Sequence, residues 1–226
     1  MALDPARLHR PVGDWQLPLA GPIVRRVTRT SVAVFLAATE SFTVTLELHP
    51  GVDPGSAPLP GGEAGVAVSL CLGTSLHVCV VEKKGLALQP GTLYGYDLEI
   101  HTKSATRTLG SLKLLEGSVP LGYVKDDLPG FVLPMALDEL QIAHASCRKS
   151  HGCHTGKLVD PDALPIIDSL IEVERTRPRL RLQQLYLTGD QIYCDDVPAA
   201  LLAALTSAGR ELPGCARRCD GDSTAA

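Results

Sequence analysis

The chain lacks a dominant charge. Its 21 lysines and arginines stand against 25 aspartates and glutamates, for a formal net charge of -4 and an isoelectric point near 6.0. That balance generates no field that would gather nucleic acid or anionic lipid, so neither is an expected partner and the surplus serves mainly solubility. The opening stretch lacks leader character as well: Met1 to Trp15 carries charges and prolines instead of a basic start followed by an apolar stretch. Neither a secretory signal nor a membrane span is expected on that ground. A cysteine framework is absent too. The seven cysteines, Cys71, Cys79, Cys147, Cys153, Cys194, Cys215 and Cys219, are odd in number and irregularly spaced. This fits a reducing compartment and makes the cytoplasm the expected location. No internal repeat is present.

Three common site signatures are also missing. His144, His151 and His154 with Cys153 invite a zinc reading, but Cys147-x3-His151-x-Cys153-His154 lacks the Cys-x-x-Cys or His-x3-His spacing that a tetrahedral ion usually takes. Cys147 does not suit a tyrosine-phosphatase nucleophile, because Arg148 is adjacent rather than several residues on, where it would close a phosphate-cradling loop. Gly152 to Lys157 lacks the spacing of a nucleotide-phosphate loop, and Leu158 stands where a metal-binding hydroxyl is needed. One local cationic run, Arg175-x-Arg177-x-Arg179-x-Arg181, reads as a solvated loop after a helix, with an anionic substrate or nucleic acid as the alternative contact.

What the chain does have is length and patterning. At 226 residues and 45% hydrophobic content it can bury a real core, most simply as two units. In the first half, Val44, Leu46 and Leu48 alternate with Thr43, Thr45 and Glu47, and Tyr94, Tyr96, Leu98 and Ile100 alternate with Gly95, Asp97, Glu99 and His101. Period-2 alternation marks strands with one solvated face. Further strands are expected over Pro22 to Val27, Ser31 to Ala37, Val66 to Leu72, Leu76 to Val81 and Thr108 to Leu115, between turns rich in glycine and proline. About seven strands suggest a β-sandwich of the fibronectin or immunoglobulin kind. The expected organisation is an amino-terminal extension over 1–20, the sandwich over 21–115, a linker over 116–136 rich in glycine, proline and charge, an α/β segment over 137–209 and a disordered tail over 210–226.

In the second half, Ile142-Ala143-His144-Ala145 and Leu185-Tyr186-Leu187 read as buried parallel strands, each breaking into a turn that carries a reactive side chain. The carboxyl ends of such strands are where α/β folds hold ligands, so Cys147 and Asp190 are expected to converge. Between them Ala163 to Glu174 places Ile166, Ile167, Leu170, Ile171 and Val173 on a helical face, with Asp162 as a plausible cap and Pro165 tolerated in the first turn. A second helix is expected from about Pro198 to Ala208, stopped by Gly209. Taken singly, Cys147 packs as an inert thiol as readily as it ligates, Asp190 can cap the next helix, and Tyr193 can be core. Asp195 and Asp196 either extend a site or cap that helix. The joint pattern points to a metal.

Ala145-Ser146-Cys147-Arg148-Lys149 followed by Leu187-Thr188-Gly189-Asp190-Gln191-Ile192-Tyr193 resembles the opening half of the PhoD-like phosphatase domain, a metallophosphoesterase. Ala145 departs from the glycine usual in that family's first turn. Gly21 to Thr28 and Gln89 to Tyr96 are similar to the family's amino-terminal sandwich. The resemblance implies a β-sandwich followed by an incomplete α/β metallophosphoesterase domain, with a ferric ion held by Cys147, Asp190 and Tyr193 and calcium sharing Asp190. It also implies hydrolysis of phosphate mono- or diesters. Arg148 is the expected neutraliser of substrate charge, on its charge alone. A hard, highly charged cation takes carboxylate and phenolate oxygen readily, and a thiolate adds charge and covalency. The family's asparagine, aspartate and histidine ligands have no counterpart after Gly209, so a truncated form with an incomplete site is expected. The alternative is a non-catalytic sandwich that binds or interacts, with the α/β piece as a remnant, and an open sheet edge leaves oligomeric state undetermined.

Overall fold

A computed structural model describes residues 17–117, 120–148, 153–154, 157–158, 163–193, 197 and 199–212. The first three strands are β1 (Ala20–Val27), β2 (Ser31–Ala38) and β3 (Phe42–Pro50). They are followed by β4 (Val66–Val68), β5 (Leu70–Cys71), β6 (His77–Lys84), β7 (Leu93–Thr102), β8 (Thr106–Arg107) and β9 (Gly130–Val132). These nine form two antiparallel sheets, one in the order β1-β2-β6-β5 and the other β4-β3-β7-β8 with β9 also on β7.

The alternation read from the sequence decides which side chains meet. In the β3–β7 pair, Leu46 lies opposite Leu98, Val44 opposite Ile100 and Leu48 opposite Tyr96, all fully or almost fully buried. Their neighbours Thr43, Thr45 and Glu47 lie on the opposite face. Val32, Val34, Leu36 and Val81 of the other sheet close on this row, so both sheets share one core, as in a β-sandwich.

One side of the sandwich is closed by a strand that changes sheets. Gly65 and Ser69 bond backbone to backbone with Leu46 and Phe42 beside β3, whereas Leu70 and Cys71 pair with β6 and the Leu72 amide donates to Leu76. Successive peptide groups of an extended chain point to opposite sides, so a single strand can serve both sheets. Gly62 assists this crossover. It has φ +80°, and a Cβ there would lie 2.7 Å from the Lys84 carbonyl, so a side chain would push the loop off β6.

Two expectations for this half are corrected. Residues 108–115 form turns rather than a strand: Ser111 Oγ accepts from the Thr108 amide, Thr108 Oγ1 accepts from the Ser111 amide, and Leu112 donates to the Thr108 carbonyl. These side-chain bonds compete with ladder pairing. Residues 116–136 are not a plain linker. β9 lies within them, Leu128, Phe131, Val132 and Leu133 are buried, and the Phe131 ring stacks on Tyr94 at 5.8 Å between centroids. The apolar run between Pro129 and Pro134 finds its partner in β7, far away in sequence.

The remainder holds β10 (Ile142–Ala145), β11 (Cys153–His154), β12 (Lys157–Leu158), helix α1 (Leu164–Val173), β13 (Gln184–Leu187) and helix α2 (Ala199–Glu211). β10 and β13 pair in parallel, with α1 in the connection between them. The residue at the cap position of α1 is Ala163, without a side-chain cap, and Asp162 and Pro198 lie outside the described residues. α2 runs through Gly209 instead of stopping there, because the alanines and leucines before it, with Arg210 and Glu211 after it, outweigh the roughly 1 kcal/mol propensity loss of one glycine. β13 is exposed along its whole length, not buried, since among the described residues only β10 pairs with it. Among the described residues no helix is long and apolar enough to cross a membrane.

Arg181 ties the two halves together and corrects the reading of the arginine run as solvated throughout. It is buried, its Nη2 donates to the Gly130 carbonyl at 2.9 Å, and its guanidinium lies 5.8 Å from the centre of the Tyr123 ring. Tyr123 in turn donates to Asp168 on α1 at 2.8 Å.

Burial pushes the Tyr96 phenol above its ordinary range, and burial followed by the Asp168 hydrogen bond does the same to Tyr123. Above about pH 10 the unfolded chain therefore releases phenolic protons that the folded chain keeps. Their stabilising contribution is complete below that pH and is lost as pH rises further. Urea midpoints are expected to fall with alkalinity from about pH 10, and Tyr96→Phe to flatten the decline. An equally steep decline in Tyr96→Phe would refute the assignment.

Candidate metal centre

The β10–β13 ladder ends at Ala145 and Leu187, and the two turns beyond it stay joined. The Thr188 amide donates to the Ala145 carbonyl and the Cys147 amide to the Gly189 carbonyl, both at 3.1 Å. Gly189 O also accepts from Gln191 Nε2 at 2.5 Å and Ser146 Oγ at 3.5 Å. On the adjoining face His144 Nε2 meets Thr188 Oγ1 at 2.6 Å. Parallel strand tips are thereby laced together past the end of the sheet.

This lacing brings the two expected ligands together across 43 positions. Cys147 Sγ lies 3.5 Å from Asp190 Oδ2, with the thiol as donor. Both residues are exposed, and both have left-handed backbones, with φ 53° at Cys147 and φ 44° at Asp190. Non-glycine residues in that region cost on the order of 1–3 kcal/mol each and persist only where their surroundings hold them. Tyr193 is half-buried three residues beyond Asp190, and Arg148 is half-buried next to Cys147.

The fit to a metal follows from the donors. A thiolate bond of about 2.3 Å and a carboxylate bond of about 2.1 Å, meeting at roughly 105°, set sulfur and oxygen about 3.5 Å apart. The observed spacing is close to that separation, so it is compatible with two donors of one cation. Gln191 Oε1 is buried without a hydrogen-bond partner in the same turn, leaving an unused acceptor one residue from Asp190. Among the described residues no group of three or more histidine, cysteine, aspartate or glutamate side chains is poised around one ion. Tyr193 is the remaining candidate for a third donor. Asp195, Asp196 and His151 lie outside the described residues, as do the side chains of Cys153 and His154.

No family model and no curated protein matches this chain. The site therefore rests on its own geometry. The sequence offers His144 only as a weak zinc candidate and Thr188 only as part of the Gly-Asp turn; that they meet follows once the parallel register His144 to Tyr186 is known, which puts both on one face.

Proposed function

We propose that the chain is a metal-dependent phosphoesterase of the PhoD-like kind, a fibronectin-like sandwich carrying part of an α/β metallophosphoesterase domain. The observation that carries this reading is the 3.5 Å approach of Cys147 Sγ to Asp190 Oδ2 at adjacent parallel strand tips. Cys147, Asp190 and Tyr193 would hold a first ion, iron by the resemblance, and Asp190 would also serve a second, calcium. When bound, the ions supply positive charge at phosphoryl oxygens and a nucleophile effective at neutral pH. Asp190 keeps its carboxylate directed at Cys147, and the Gly189 hub holds both turns in place. Arg148, adjacent to Cys147 in the turn, neutralises charge on the phosphate ester.

A second reading is favoured by the outer face of the first sheet. Ile23, Phe35 and Val80 lie side by side there, and Leu70 pairs with Val78. Ile23, Leu70 and Val80 are exposed, the texture of an interaction surface. On this reading the sandwich works as a binding module and no ester is hydrolysed.

Metal analysis tests the first reading. The purified chain is expected to carry iron or another metal that Asp190→Ala and Cys147→Ala lose. Equal metal content in all three proteins would refute the site. Hydrolysis of aryl phosphate mono- and diesters then separates the two readings, because a binding module leaves them intact.

A further inference from the structure

We propose that His144 and Thr188 are a positioning pair, a side-chain clamp that fixes the two strand tips in the arrangement Cys147 and Asp190 need to share one cation. The proposal rests on the metal reading above and adds to it the device that preorganises the ligands. Three observations carry it. The ladder ends one residue before Ser146 and Thr188, where twisted strands begin to diverge. Both ligands sit in left-handed conformations that a free turn would leave. The His144 Nε2 to Thr188 Oγ1 contact, at 2.6 Å, is a cross-strand side-chain link tighter than the two 3.1 Å backbone bonds that flank it.

The pair lies on the face opposite Ala143 and Ala145, and each member is three or two positions from its ligand. His144 therefore acts through Thr188, and Thr188 through Gly189, on the direction of Asp190. An imidazole offers a donor at Nε2 or an acceptor there, and a hydroxyl answers either, so the bond forms with whichever tautomer is present. Orienting partners of metal ligands typically change affinity by about 10–100-fold, and an exposed pair belongs at the lower end.

The test uses the full chain with cobalt(II) as the probe, because thiolate-to-cobalt charge transfer reports Cys147 directly. His144→Ala and Thr188→Val are each expected to weaken cobalt binding about tenfold and to diminish the thiolate band. The double variant is expected to be no worse than either single variant, and Thr188→Ser to restore wild-type affinity. Unchanged affinity in either single variant, additive losses in the double variant, or no rescue by serine would overturn the clamp. A second readout needs no metal: alkylation of Cys147 by iodoacetamide, referenced to exposed Cys71 in the same molecule, is expected to change in both single variants as the tip loosens. If the wild-type chain binds no cobalt, the metal reading fails, and the alkylation ratio alone decides the clamp. An unchanged ratio then rejects it.

Discussion

Leu98→Ala is expected to lower the unfolding free energy by about 2–5 kcal/mol, a large part of the stability of an ordinary domain. Leu98 is fully buried in β7 and faces Leu46 of β3, while Val32, Val34, Leu36 and Val81 belong to the opposing sheet of the same core. Removing its side chain takes away transfer free energy and leaves a void that two paired sheets cannot close without breaking their ladders. Urea denaturation followed by far-ultraviolet circular dichroism is the measurement, with a lower midpoint at an unchanged slope. A loss under about 1 kcal/mol would mean that the sheets re-pack freely and that the core is less tightly built than described. Leu98→Met, which conserves volume, is expected to cost under about 1.5 kcal/mol.

Arg181→Ala is expected to loosen the second half while leaving the sandwich intact. The guanidinium is buried, and that burial pushes its proton affinity down, while the Gly130 carbonyl and the Tyr123 ring face the cation and offset part of its desolvation. Hydrogen bonds to charged groups contribute about 1.5–3 kcal/mol, and alanine also leaves the Gly130 carbonyl without this donor. Hydrogen exchange at β10, β13 and α1 is expected to accelerate, with β2, β3 and β7 unchanged. Lysine is a poor replacement, since its point charge cannot both reach a carbonyl and lie flat on an aromatic ring. Unaltered protection in β10 and β13 would show that other contacts hold the halves together.

Much of the sandwich is legible in the chain because strand alternation is a local signal. Val44, Leu46 and Leu48 announce their buried face whatever they pair with, and Pro90-Gly91 announces the turn before β7. The same local rule misleads at 108–115, where leucines 109, 112, 114 and 115 look strand-like while serine and threonine side chains fold the backbone into turns. It misleads again at 185–187. An apolar run suggests a strand covered on both faces, yet coverage depends on what other segments lie above and below.

The candidate site divides in the same way. Gly-Asp after an apolar run and Ser-Cys-Arg after another mark two strand tips, and that marking is a property of each segment alone. Whether the tips adjoin depends on the parallel pairing of β10 with β13, and their 3.5 Å approach depends on the bonds that converge on Gly189.

By itself, then, the sequence determined most strands of the sandwich, their core faces and the helix around Ile167, because each follows from spacing within a few residues, while the candidate metal donors are what the family resemblance implies. Only the tertiary structure decided that the Val66 to Leu72 strand serves both sheets, that Leu128 to Leu133 joins the core, that Arg181 is buried and that His144 reaches Thr188. Those outcomes depend on which distant segment supplies the hydrogen-bond partner or removes the water, and no local periodicity carries that information.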